Sequence, residues 1–332
     1  MIKIAILGST GHIGKNLTYY FGKEENYELF LFTRDDKSGT NISVECELKN
    51  NFSILNYNEF NDSKYDAVIN CVGLSDPAKI ESSQGKILET TETFDILTLE
   101  YLKNFSETKL INFSSGIVYG GEFSFPITDT VLIDETYNYK NIKSEYALSK
   151  INSEIKHRAS KHLNIIDLRL FSFFSRFMDL ESKFFMSEVV SSIKENKTLF
   201  TDNTNFYRDY IHPEDLFLFI KKCVNKNSIN GAFDLYSKKP IGKFEVLASL
   251  ESKYGLKYKI DSGTKVINPT GFKKNYYSKS RKADLLGYKP KYSSLDTISE
   301  ELPYFLKNEW KIKNLVHEIL IIKSAANVLI ST

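Results

Sequence analysis

Residues 2–14 read IKIAILGSTGHIG, and the fold follows from how that stretch divides. Ile2 to Leu7 form a short apolar run ended by glycine, and His12 to Phe21 carry apolar residues at helical spacing. Strand, glycine turn and helix follow in that order. Gly8, Gly11 and Gly14 occupy the turn. The first glycine allows a tight turn, the second lets backbone approach a pyrophosphate, and the third lets helix and strand pack closely. The helix N-terminus then offers N–H donors and partial positive charge to an anion. A glycine triplet alone is weak evidence, but one that ends a strand and opens a helix is strong.

The same rhythm continues outward. YELFLF (27–32), DAVINCV (66–72), KLINFSS (109–115) and NIIDLRLF (164–171) are apolar runs separated by longer polar or amphipathic segments. Such alternation predicts parallel strands with crossover helices, an α/β doubly wound sheet. Past Phe171 the chain turns aromatic and loop-rich, with helices predicted near 183–196, 213–226, 242–255 and 296–307. The expected division is a dinucleotide-binding domain over 1–170 with 206–236 contributing, a smaller substrate lobe from 171–205 and 237–310, and a tail helix over 311–332. The lobe is expected to cap the carboxyl ends of the strands, where open α/β sheets bind ligands. Gly263 to Lys279 is turn-rich and gives no clear element.

Composition excludes several functions. The 332 residues are 42% hydrophobic, enough for a substantial core, and 44 Lys and Arg against 42 Asp and Glu leave a net charge of +2. That balance argues against a nucleic-acid partner. Cys46, Cys71 and Cys223 are scattered, which suggests reduced thiols and no metal site. The opening MIKIAILGST runs directly into a strand, so a cytoplasmic protein is expected. No integral membrane span is expected either; the tail segment LVHEILIIKSAANVLI (315–330) comes nearest, and Glu318, Lys323 and Asn327 interrupt it. It reads as a helix packed on the body or a second subunit, with a membrane-surface helix as the alternative.

The chemistry concentrates in EYALSK (145–150). Tyr146 and Lys150 stand four apart, so a helix stacks them on one face. NFSSGIVYG (112–120) ends a strand upstream and supplies Ser115. With GSTGHIG in front, this set resembles the extended short-chain dehydrogenase/reductase family, the NAD-dependent epimerase/dehydratase group that acts on nucleotide sugars. YRDYIHPEDL (207–216), GAFDLYS (231–237) and RKADLLGYKP (281–290) extend the resemblance to about residue 307. It implies a Rossmann-type domain with a C-terminal substrate lobe. It also implies dimerisation through helices near 85–104 and 144–162.

By that resemblance Tyr146 exchanges a proton with the substrate oxygen. A free phenol has a pKa of about 10, so Lys150 is needed to favour the phenolate and to fix the nicotinamide ribose. Ser115 hydrogen-bonds the same oxygen; counting back from Tyr119 selects it over its rival Ser114. Cofactor contacts are expected from Gly8, Thr10, Gly11, His12, Ile13 and Gly14, from Cys71, Val72 and Gly73, and from Arg34. Arg34 suits a 2′-phosphate and favours NADP, while Asp35 or Asp36 taking the ribose would favour NAD.

Arg208 matches the family position for an arginine on the nucleotide diphosphate, an Arg208–Asp209 surface pair being the alternative. Ser172 and Lys274 complete the expected substrate contacts, Lys273 and Lys274 being equally able to stand in solvent. His212 reads as structural. Two departures from the family stand out: Ser172 to Ser175 replace an asparagine and a Tyr-Gly pair, and Glu89 or Thr90 falls where relatives place an asparagine. Gly116 and Ile117 replace the Asp-Glu pair of the 4,6-dehydratases, which disfavours elimination. The resulting expectation is an NADPH-dependent reductase of a 4-keto nucleoside diphosphate sugar. The alternatives are an NAD-dependent 4-epimerase or a dinucleotide-binding regulator without turnover.

Overall fold

The computed structural model describes residues 1–34, 36–49, 51–73, 85–120, 123–129, 145–226, 228–261 and 272–306, with backbone alone at 36–40. Asp35, the Asp36 side chain and the tail over 311–332 lie outside the described residues. Seven strands form one sheet: β1 (Ile2–Leu7), β2 (Tyr27–Thr33), β3 (Phe52–Asn56), β4 (Ala67–Asn70), β5 (Lys109–Ser115), β6 (Ile165–Leu170) and β7 (Asn230–Asp234). Their order is β7-β6-β5-β4-β1-β2-β3. Every neighbouring pair is parallel, so each connection crosses a face of the sheet.

The crossovers and the second half supply helices α1 (His12–Phe21), α2 (Asp36–Glu45), α3 (Lys86–Asn104), α4 (Glu145–Ala159), α5 (Phe185–Lys194), α6 (Pro213–Val224) and α7 (Lys243–Tyr254). In α1 the stripe of Gly14, Leu17, Thr18 and Phe21 is buried. Phe21 packs edge-on against Tyr27 and Phe217, which ties α1 to β2 and α6. The chain winds outward from β1 to β3, then resumes at β4 on the other side. In open parallel sheets such a reversal is where the ligand cleft is expected, here at the strands' carboxyl ends between β1 and β4.

Two strands escaped the apolar-run reading, β3 and β7. Both are edges of the sheet. Edge strands keep one flank in solvent and need less continuous apolar sequence; FSILN in β3 is only half-buried and NGAFD in β7 opens with polar residues.

A second core lies in the C-terminal half. Phe174, Met186, Val189, Val190, Leu247, Leu250, Ile298 and Leu302 bury together, joining α5, α7 and a helix over 294–306. Its strands are short: Tyr207–Arg208 pairs with Ile241–Gly242 on one side and Asn275–Tyr276 on the other. Among the described residues no helix is long and apolar enough to cross a membrane, and no cluster of metal-ligating side chains occurs.

Candidate active site

The glycine turn fits a dinucleotide. Gly8 has φ +72°, which a side chain rarely tolerates, and a Cβ at Gly14 would lie 2.2 Å from the Gly8 carbonyl oxygen. Gly11 caps α1 without a side-chain acceptor, so the first amides of the helix stay available to a phosphate. Ser9 Oγ donates to the Phe32 carbonyl (3.1 Å), fixing the turn against β2. Thr10, His12 and Ile13 line the turn half-buried. His12 Nε2 lies 2.8 Å from Ser175 Oγ, and burial, reinforced by the Lys15 charge, pushes its pKa down to about 3. A neutral imidazole therefore faces the turn.

Tyr57, unremarked in sequence, accepts the Gly8 N–H at 3.1 Å and packs edge-on against Phe94 on α3. Arg34, at the end of β2, is exposed. Its carbonyl accepts from the Asn56 amide, at 3.5 Å.

Parallel register aligns Leu7 of β1 with Asn70 of β4 and Asn70 with Asn112 of β5. Gly8, Cys71 to Gly73 and Ser115 therefore leave neighbouring strands at one rim. The two serines divide. Ser114 Oγ donates to Glu154 Oε1 at 2.6 Å, whereas Ser115 Oγ lies 2.9 Å from the Tyr276 hydroxyl. Only Ser115 faces the cleft side of that pair, next to Tyr146, whose phenolate its hydroxyl favours.

Lys150 is buried on α4, one turn below Tyr146. Its Nζ donates to the Phe113 carbonyl at 2.8 Å and sits 3.6 Å from where a Cβ on Gly73 would stand. One of its three N–H donors is thus committed. Burial lowers the Lys150 pKa, opposed first by Asp95 and then by Asp167, Glu154 and the Cys71 thiol. Tyr146 is half-buried by surface, yet its hydroxyl lies deep enough that burial raises its pKa. The free protein holds a phenol rather than a phenolate.

Behind this set lies a buried ionic frame. Arg169 on β6 donates to both Glu154 oxygens (2.9 and 2.5 Å) and to the Tyr119 hydroxyl (2.7 Å), and Tyr119 donates to Asp234 (2.9 Å). Burial works against the Arg169 cation, but the Glu154 hydrogen bonds and charge hold it firmly protonated. Gly116 follows Ser115 directly, and a Cβ there would stand 2.2 Å from the Phe171 ring. An acid or base side chain has no room at that position.

The short strands of the C-terminal half reach the same rim through Tyr276. That residue, which sequence reasoning also missed, is buried against Phe123 and Phe171. A tyrosine in a turn-rich stretch gives no local signal; its role comes from pairing with Arg208 across two short parallel strands. Arg208 donates to the Tyr207 and Lys273 carbonyls (both 2.8 Å), and its guanidinium lies 4.3 Å from the Phe206 ring.

Asp209 is not the arginine's partner; it accepts from the Ser237 amide and the Ser294 hydroxyl. Of the two lysines, Lys273 is buried and Lys274 exposed. Burial and the neighbouring Arg208 charge push the Lys273 pKa down to about 8. Two crowded cations make that corner receptive to an anion. Ser172 is half-buried on a strand paired with Tyr210–Ile211. His212 caps α6, its Nδ1 accepting the Glu214 amide, and stacks on Tyr292, which is the structural role expected of it.

On α3 the buried face is Ile87, Thr91, Asp95 and Thr98. Glu89 is exposed and Thr90 half-exposed, so the polar side chain turned toward α4 is Asp95.

Comparisons with known proteins place this architecture. A GDP-6-deoxy-D-talose 4-dehydrogenase from Aggregatibacter actinomycetemcomitans is 24% identical over 237 residues, covering 69% of this chain and 74% of that one. A dTDP-glucose 4,6-dehydratase from Bacillus anthracis, solved with NAD, superposes with a TM-score of 0.75 at 18% identity, over 93% of this chain and 98% of its own. A UDP-glucuronic acid 4-epimerase from Bacillus cereus, solved with UDP-glucuronic acid and NAD, gives a TM-score of 0.75 at 20% identity, over 92% and 99%. Residues 4–234 match the NAD dependent epimerase/dehydratase family. With its glycine turn, its seven-stranded parallel sheet and that match across more than half its length, this chain belongs to the NAD dependent epimerase/dehydratase family.

Proposed function

We propose that this protein reduces the 4-keto group of a nucleoside diphosphate sugar with NADPH. The observation that carries the reading is Tyr146 held as a phenol beside Ser115 and Lys150. A protonated donor is what carbonyl reduction needs. When bound, the dinucleotide supplies a hydride from nicotinamide C4 to the carbonyl carbon and is itself oxidised. Ser115 donates a hydrogen bond to the carbonyl oxygen, Tyr146 gives that oxygen its proton, and Lys150 then steadies the phenolate left behind.

Arg208 and Lys273 would take the diphosphate. The blocked position at Gly116 argues against a dehydratase, which needs a further acid and base there. Among the relatives, the enzyme named as a 4-dehydrogenase favours redox exchange at C4. The 4-epimerase among the solved structures keeps epimerisation as the second reading.

Arg34, exposed just beyond the end of β2, suits a 2′-phosphate. The test is to release and identify any bound cofactor, then titrate NADPH and NADH into wild type and Arg34→Ala. Exchangeable NADP(H), weakened about tenfold by the substitution while NADH is unaffected, supports the reading. Tightly retained NAD in every preparation contradicts it in favour of the epimerase.

A further inference from the structure

Lys150 is buried, and three buried carboxylates act on its charge from beyond ion-pair distance: Asp95 from α3, Asp167 from β6 and Glu154 from its own helix. The Cys71 thiol is the remaining titratable neighbour. Two of the carboxylates are already committed. Glu154 carries a two-toothed Arg169, and Asp167 accepts from Arg158 (2.9 Å), Asn112 (2.8 Å) and the His157 ring (2.9 Å). Asp95 has no arginine on it among the described residues. It accepts from Ser153 Oγ at 2.8 Å and lies 3.7 Å from His157 Nε2.

Lys150, Ser153 and His157 are spaced three and four apart on α4 and so share one helical face, the face on which Ser153 and His157 meet Asp95 of α3. His157 Nε2 is buried without a hydrogen-bond partner, its nearest charge being that carboxylate. On the far side the chain continues from Asp167 through Asn112 and Asn70 (3.1 Å) to the Val72 amide at the cofactor rim (3.1 Å).

We propose that Asp95 is a positioning residue for Lys150. Its carboxylate supplies the buried countercharge that keeps the lysine ammonium charged and in place, and His157, set between Asp95 and Asp167, competes for that charge. The inference rests on Lys150 being the lysine that serves Tyr146. Electrostatics agree with the geometry. Burial works against the His157 cation, but Asp167 and then Asp95 carry its pKa upward. Burial raises Asp95, while His157, Ser153, Lys150 and Lys156 draw it back. Lys156 itself is paired with Glu92 at 2.9 Å near the surface.

The competition gives opposite signs for two substitutions, which a merely structural contact would not. The experiment follows Lys150 by NMR with 13Cε-labelled lysine in the full chain without cofactor or substrate, Lys150→Arg assigning the signal. In Asp95→Asn the Lys150 titration is expected to move to lower pH. In His157→Gln it is expected to move to higher pH, because a competing cation is gone. Each unit of movement is about a tenfold change in the charged fraction above the midpoint.

Shifts of the same sign in both variants, or none in either, overturn the proposal. Should Asp95→Asn fail to fold, the direction of the His157→Gln shift decides alone. Because no turnover is measured, failure of the reductase reading leaves these shifts standing and would appear separately, as NADPH that is bound but never consumed.

Discussion

The two halves of the site are built differently. Ser115, Tyr146 and Lys150 sit on β5 and α4, elements of 7 and 15 residues anchored by the Arg169–Glu154 frame. Arg208, Lys273 and Tyr276 sit on or beside strands only two residues long. The proposed chemistry falls on long regular elements whose geometry follows from spacing, and the proposed recognition on short pieces whose geometry follows from pairing. That arrangement lets a family keep one reaction core and change what it binds.

The contrast predicts where each half breaks. The largest effect belongs to the frame: Arg169→Met leaves the buried Glu154 carboxylate without its cation, with the Ser114 hydroxyl still on it, and a loss of about 3–5 kcal/mol is expected. Chemical denaturation measures it, and an unchanged midpoint would show that α4 is held by other means. Next, Tyr146→Phe removes the proton donor without disturbing the fold. Turnover should fall about 100-fold or more while the cofactor Kd stays within about twofold, checked by steady-state kinetics and fluorescence titration.

On the recognition side, Arg208→Ala should raise the KM for the nucleotide sugar by about tenfold with little change in kcat. An equal loss in kcat would mean that the short strands also position Ser115 through Tyr276, and the contrast would weaken. The last prediction concerns pH. Because burial raises the Tyr146 pKa, reduction should be flat through neutrality. The reverse oxidation needs the phenolate, so it should rise by about tenfold per pH unit below that pKa.

The same contrast explains what could be read from sequence. IKIAILGSTGHIG placed β1, the turn and α1, and the Tyr146–Lys150 spacing placed both side chains on one helical face, because period and register are local properties. The structure separates the two serines, Ser114 being spent on Glu154 while Ser115 lies 2.9 Å from the Tyr276 hydroxyl. The edge strands β3 and β7 were invisible because one flank of each needs no apolar sequence. Tyr276 was missed because only the fold of a distant strand brings it to Ser115, 161 residues away in the chain. Asp95 gave no signal in the sequence because the residue of α3 that meets α4 is set by how two helices pack.

The central claim is net reduction at C4, and isotope transfer tests it most directly. The protein is incubated with a 4-keto nucleoside diphosphate sugar and NADPH deuterated at nicotinamide C4, over many turnovers. The account predicts one deuterium at sugar C4 in each product molecule, with an equal amount of NADP formed. NADPH left unconsumed beside the 4-keto sugar, while the corresponding 4-hydroxy sugar inverts at C4 with no net change in cofactor, would contradict it.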